Sequence, residues 1–92
     1  MKIDLNVRFR ISDEAIANRV ADETVILHLG NGTYYGLDPI GALLWEALGT
    51  GGTVVSVLDE VVATYDVERA QAEQDLLALI ESLAANELVL PA

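Results

Sequence analysis

The side chains of this sequence that could do chemistry are a single histidine, His28, and fifteen carboxylates, with no cysteine beside them. A nucleophilic triad needs a base within reach of a nucleophile and a third group that orients the base. His28 instead stands between Leu27 and Leu29 in an apolar run, and the chain has no second histidine or thiol to help bind a metal. This setting favours a packed strand histidine over a base or a ligand, and we expect neither a metal nor a cofactor.

The glycine-rich stretch "GNGTYYG" (residues 30–36) and the carboxylates are the remaining candidates. A phosphate-binding loop would continue into a Lys-Ser/Thr pair, which this stretch lacks, so its glycines indicate a turn. Paired catalytic carboxylates need a cleft and opposed environments, whereas most of these acids fall on the exposed faces of predicted helices. They include Asp59, Glu60, Glu68, Glu73, Asp75 and Glu81. We therefore predict that the protein is not an enzyme.

The composition excludes two further classes of function. The formal net charge is −10, with five basic residues against fifteen acidic ones, whereas a nucleic-acid binder needs cations to displace phosphate counterions. The chain has no run of 18 apolar residues that could span a membrane, and "MKIDLNVRFR" lacks the apolar core of a signal peptide. We expect a cytoplasmic protein with one domain, residues 1–92, whose acidic surface favours basic partners.

A hairpin in "ETVILHLGNGTYYGLD" (residues 23–38) positions the histidine and the glycines. Asn31-Gly32 suits a type I′ turn, in which both central residues have φ > 0. A two-residue loop there pairs Leu29 with Tyr34 and Ile26 with Leu37. Both faces of the hairpin are apolar, so we expect the helices to cover one face and the N-terminal strand or another molecule to cover the other. The two faces hold Val25, Leu27, Leu29 and Tyr34 on one side and Ile26, His28, Tyr35 and Leu37 on the other.

Strand patterns precede this hairpin and helix patterns follow it. Val7, Phe9 and Ile11 alternate with arginines, and a second strand is predicted over residues 15–20. Helices are predicted for "PIGALLWEAL" and "VVSVLDEVVATY", and for Val67 to about Ala85, capped by Asp38, Thr53 and Asp66 respectively. Leu88 to Leu90 could add a short strand. The fold class is therefore α+β, with a sheet followed by three helices in a winged helix-turn-helix-like order.

The last strand of the hairpin carries the most specific signal of function. Exposed strand edges are normally blocked by charge or proline, and "TYYGL" (residues 33–37) has neither. On helix 3, steps of 100° place Ala72, Leu76 and Leu79 on one shoulder of the core face, bordered by Asp75. An open edge beside this shoulder would form an apolar groove with an acidic rim. Two alternatives stay open: the C-terminal strand covers the edge, or Leu79 packs on another helix.

The stretch "NGTYYGLDPIGALLWE", with the helices after it, resembles the PqqD-like family, the RiPP recognition elements that include the stand-alone proteins of lasso-peptide pathways. The resemblance implies a winged helix-turn-helix with an N-terminal three-stranded antiparallel sheet. It implies binding of the leader segment of a precursor peptide, as a strand added between the last sheet strand and helix 3. It also implies delivery of the precursor to a leader peptidase or modifying enzyme. Carried onto this chain, the peptide-binding residues are Thr33, Tyr34, Tyr35, Gly36, Leu37, Ala72, Asp75, Leu76 and Leu79.

The residues fit two other classes of protein less well. A winged-helix transcriptional regulator would read DNA with helix 3, which carries one cation, Arg69, among several acids. An acidic carrier protein needs a serine after an aspartate at a helix start, and Ser56 follows Val55. Another kind of protein-interaction adaptor, and a homodimer formed through an uncovered sheet face, stay open.

Overall fold

The chain forms four strands, three helices and a final strand within residues 8–21 and 23–92, which are the part that the computed structural model describes. Val7, predicted as part of the first strand, lies outside the described residues. The elements are β1 (Phe9–Ile11), β2 (Ala15–Val20), β3 (Glu23–His28), β4 (Tyr34–Leu37), α1 (Pro39–Gly49), α2 (Val54–Thr64), α3 (Arg69–Ala85) and β5 (Val89–Pro91).

The strands form two antiparallel sheets. The larger has the order β2-β3-β4, and the smaller joins the two ends of the chain, with Phe9 opposite Pro91 and Ile11 opposite Val89. The predicted α+β class, with a sheet and three helices, is confirmed. The prediction did not include the second sheet, because its two strands have three residues each and lie some 80 positions apart, so no local pattern links them.

The hairpin register differs from the predicted one by two residues. Ile26 lies opposite Tyr35, so the loop has four residues, 29–32, instead of two. A type I′ turn needs two positive φ angles, and in this loop only Gly32, at 72°, has one. Since side chains alternate with a period of two, a slip of two leaves each residue on its predicted face.

His28 explains the longer loop. Its Nδ1 atom accepts hydrogen bonds from the Gly30 N–H at 3.1 Å and the Asn31 N–H at 3.3 Å, and its carbonyl accepts from the Gly32 N–H at 2.8 Å. These bonds hold a four-residue loop that places His28 opposite Thr33, and this pairing sets the observed register. The prediction of a packed histidine is confirmed, since His28 is buried beneath its own loop.

The first two helices begin where the sequence predicts. Asp38 caps α1 by accepting from the Gly41 N–H at 2.7 Å, and Thr53 caps α2 in a capping box with Ser56. The predicted start of the third helix was wrong, because α3 begins at Arg69. Its N-cap residue is Glu68, and neither Glu68 nor Asp66 makes a side-chain hydrogen bond that caps the helix.

A turn at the start of α3 accounts for this difference. The Val67 N–H donates to the Tyr65 carbonyl at 3.0 Å, which holds Val67 in the link between α2 and α3. Arg69 then reaches back to Asp59 of α2, with a distance of 2.9 Å between Nη2 and Oδ1. The helix therefore begins two residues later than predicted.

The core lies between the inner face of the larger sheet and the three helices. Its buried members from the sheet and from β5 include Ile26, Leu37 and Val89, and each helix adds one apolar stripe. Within residues 8–21 and 23–92, no element covers the outer face of the sheet, because β1 pairs with β5. Exposed apolar side chains on this face are Ile16, Val20, Leu29 and Tyr34. In the described residues every helix is too short or too polar to cross a bilayer.

Candidate functional site

The outer edge of β4 has no strand partner among the described residues. The His28 N–H donates to the Thr33 carbonyl at 2.9 Å, and antiparallel ladders alternate bonded and non-bonded pairs. Tyr35 and Leu37 therefore bond to β3, whereas Tyr34 and Gly36 direct their N–H and C=O groups away from the sheet. The alternative in which the C-terminal strand covers this edge is wrong, because β5 pairs with β1.

The free edge opens onto a groove of about 200 Å³ between β4, the first turn of α1 and α3. Its floor includes Leu37 and Leu76, which are 3% and 1% exposed and belong to the core. A Cβ atom at Gly41 would lie 3.2 Å from a terminal methyl of both Leu37 and Leu79, so glycine allows these leucines their close approach. The lining comprises Tyr35, Gly36, Leu37, Asp38, Ile40, Gly41, Asp75, Leu76 and Leu79.

Two carboxylates give this groove an acidic rim. Asp38 caps α1, and Asp75 Oδ1 accepts from Gln71 Nε2 at 2.9 Å, so both side chains are oriented by neighbours. Both residues are solvent-exposed, and the groove lining within the described residues contains no cationic side chain. The arrangement suits an extended apolar segment that is neutral or positively charged.

A hydrogen bond ties the two walls of the groove together. The Tyr35 hydroxyl, on the inner face of β4, donates to Ser82 Oγ of α3 at 2.8 Å. Because these residues are 47 positions apart in sequence, the bond fixes strand against helix beside the groove.

Six of the predicted peptide-binding residues meet in this groove: Tyr35, Gly36, Leu37, Asp75, Leu76 and Leu79. Ala72 is buried and lines a neighbouring cavity of about 70 Å³ that also includes Asp75. Thr33 and Tyr34 do not line the groove. Thr33 lies before β4, and the Tyr34 side chain is 71% exposed on the outer face, although its backbone belongs to the free edge.

Three further residues line the groove and were not among the predicted ones: Asp38, Ile40 and Gly41. The signal for them was present, because Asp38 follows β4 directly and was predicted to cap α1. A cap next to an edge strand brings the first turn of its helix beside that edge.

The described residues hold no second centre of chemistry beside this groove. Within residues 8–21 and 23–92, no three His, Asp or Glu side chains are arranged to hold a metal ion. His28 Nε2 lies 3.8 Å from Glu14 Oε2, and its Nδ1 atom accepts a hydrogen bond from the hairpin loop. These contacts give His28 a structural role.

Comparison with known families agrees with this geometry. The sequence model of the family described as coenzyme PQQ synthesis protein D (PqqD) matches residues 23–89. The chain belongs to the PqqD family. The residues that match the PqqD model include β4, α1 and α3. All three walls of the groove therefore lie within the matched segment.

Two solved structures resemble this PqqD-family chain over most of its length. One, described as TbiB1 in complex with the TbiA(beta) leader peptide, is 39% identical with a TM-score of 0.80, over 87% of this chain and 93% of that one. The other, described as lasso peptide synthetase B1 complexed with the leader peptide, is 32% identical with a TM-score of 0.83, over 91% and 99% of the two chains. A comparison with curated proteins finds no match.

Proposed function

We propose that this protein is a RiPP recognition element with a winged helix-turn-helix fold that binds the leader segment of a precursor peptide. The leader adds as a fourth strand to β4 and lies in the groove between β4 and α3. The leader contacts the backbone of Tyr34 and the side chains of Asp38 and Ile40. It also contacts the six predicted residues that line the groove: Tyr35, Gly36, Leu37, Asp75, Leu76 and Leu79.

The observation that carries this proposal is the free edge of β4 above an apolar groove. Tyr34 and Gly36 present backbone groups that have no strand partner in the described part of the chain, and Leu37, Leu76 and Leu79 lie directly beside them. In strand addition, main-chain hydrogen bonds align the peptide along the strand edge, and the adjacent pockets supply selectivity. Both solved relatives are described as complexes with a leader peptide, which supports the same class of ligand here.

The protein acts as an adaptor and not as a catalyst. It presents the bound precursor to a separate leader peptidase or modifying enzyme, as in lasso-peptide biosynthesis. The acidic rim made by Asp38 and Asp75, together with the net charge of −10, favours a leader or a partner surface that carries basic residues.

The test is a titration of the full chain with a fluorescently labelled leader peptide, taken from the short open reading frame beside its gene, and with a scrambled leader. We expect saturable binding of the true leader alone, with a dissociation constant between nanomolar and micromolar, equivalent to about −12 to −8 kcal/mol. Binding of both peptides alike, or of neither by a folded protein, would refute leader recognition.

Two substitutions at Gly36 then test strand addition at β4. Gly36→Pro removes an N–H from the free edge, and because one hydrogen bond is lost and the ring obstructs approach, we expect roughly tenfold weaker binding. Gly36→Ala is the matched control, since a Cβ atom there meets nothing within 4 Å and the N–H remains. Circular dichroism checks that both variants fold. Equal affinities of the two variants would show that the leader binds elsewhere.

The charges of α3 do not support the alternative function, a winged-helix transcriptional regulator that binds DNA. Arg69, its one cation, is engaged by Asp59, and the remaining charged residues of the helix are acidic. Phosphate groups would be repelled by such a helix.

A further inference from the structure

The larger sheet has a second free edge, on β2. The Leu29 N–H donates to the Glu14 carbonyl at 2.8 Å, and the alternation of the ladder directs the backbone groups of Ile16, Asn18 and Val20 towards β3. Ala17 and Arg19 therefore direct their N–H and C=O groups outwards, and no strand pairs with them among the described residues. At six residues, β2 is longer than the four-residue β4.

This edge lacks the usual features that prevent pairing. Natural edge strands are blunted by proline, bulges or several charges, whereas "AIANRV" has no proline and one charge, Arg19. Its outer face exposes Ile16 and Val20, which are 45% and 60% accessible. Its inner face borders a cavity of about 200 Å³ whose lining includes Ala17, Arg19, Trp45 and Glu46.

We propose that β2 pairs antiparallel with β2 of a second copy of this chain. Pairing centred on Asn18 sets Ala17 opposite the second copy's Arg19, so that the outward backbone groups of both residues bond to each other. The same register sets Ile16 opposite the second copy's Val20, and the two-fold symmetry repeats this pair. The exposed apolar side chains of the two copies then pack against each other. A register centred on Ala17 would instead place each Ile16 opposite an asparagine.

Charge complementarity supports the register centred on Asn18. Opposite residues of an antiparallel pair lie on the same face, so the second copy's Arg19 lies beside Ala17, above the cavity that Glu46 lines. Within residues 8–21 and 23–92, neither Arg19 nor Glu46 makes an ion pair. The two-fold axis gives each Arg19 a carboxylate of the other copy. Because few residues take part, the dimer is of the small, transient class.

The dimer leaves the leader site free. Its sheet has the order β4-β3-β2-β2-β3-β4, so the two β4 edges lie at opposite ends. Self-association through β2 is therefore independent of the proposed leader binding, and either can fail without the other.

Sedimentation equilibrium of the full chain at about 0.15 M salt tests this proposal. We expect the apparent mass to rise with concentration from 9.9 kDa towards twice that value.

Val20→Lys places a charge on the paired edge and should weaken association at least tenfold. Leu29→Lys is the control, since Leu29 is 56% exposed on the same face but lies outside β2, and it should leave association unchanged. A mass that stays at 9.9 kDa up to millimolar concentration would overturn the proposal, as would a dimer lost in Gly36→Pro and kept in Val20→Lys.

A charge exchange tests the register. Arg19→Glu and Glu46→Arg should each associate less than the wild type, because each creates two like-charged contacts in its own dimer. An equimolar mixture of the two variants should associate again, since each contact then joins opposite charges. A mixture no heavier than the separate variants would refute the Arg19–Glu46 contact.

Discussion

The hydrogen bond between Tyr35 and Ser82 provides a quantitative test of how the groove is held. It joins the hydroxyl of Tyr35 on β4 to Ser82 Oγ on α3 at 2.8 Å. Tyr35→Phe keeps the ring and removes only the hydroxyl, and Ser82→Ala removes only the other partner. Because both residues are half-buried, water can satisfy the group left behind, and we expect each substitution to cost about 1 kcal/mol of unfolding free energy.

The double variant separates this bond from other effects. Since each single substitution already breaks the same bond, the double variant should lose about 1 kcal/mol as well, giving a coupling energy of about 1 kcal/mol. For a domain of this length, 1 kcal/mol corresponds to a shift of about 4–8 °C in Tm. Urea unfolding followed by the fluorescence of Trp45, the single tryptophan and a buried one, measures all four proteins. Costs that add within about 0.3 kcal/mol would show that the bond does not join β4 to α3 in solution.

Three further predictions address the groove, the scaffold and the charge. Leu79→Arg should weaken leader binding more than Leu77→Arg, because both leucines are half-buried but only Leu79 lines the groove; equal affinities, measured by the same titration in folded variants, would remove Leu79 from the site. Thr53→Ala should lower the unfolding free energy by about 1 kcal/mol through loss of the α2 cap, with leader affinity unchanged because α2 lies outside the groove lining; a loss of affinity would contradict this. The rate of association with a basic leader or partner, followed by stopped-flow fluorescence, should fall as salt is raised; a rate independent of salt would mean that the acidic surface does not steer encounter.

The candidate groove was predictable because it depends on local periodicities. The face of Tyr35 and Leu37 follows from the two-residue period of a strand, and the shoulder of Leu76 and Leu79 from the 100° step of a helix. Neither depends on the exact register or on the first residue of the helix. For this reason the two-residue error in the hairpin left the groove intact.

Features set by contacts between distant segments were not predictable. The hairpin loop is determined by the His28 side chain, which accepts hydrogen bonds from the N–H groups of Gly30 and Asn31. The preference of Asn-Gly for a type I′ turn does not take a neighbouring side chain into account. The pairing of β1 with β5 joins the two ends of the chain. The late start of α3 depends on a turn at Tyr65 and Val67 that the capping pattern at Asp66 did not reveal.

For the proposed addition of a leader to β4, the geometry of the free edge also indicates where selectivity would arise. Tyr34 and Gly36 together offer four backbone groups, which contribute about 1 kcal/mol each when paired. Ordering a peptide strand costs about 1–2 kcal/mol for the backbone of each residue, so for four or five residues the bonds at the edge do not offset the lost entropy. The remaining free energy must come from side chains buried against Leu37, Leu76 and Leu79. Because these leucines are held by the core, the groove is preformed, and a peptide binds tightly only when its apolar residues are spaced to enter it.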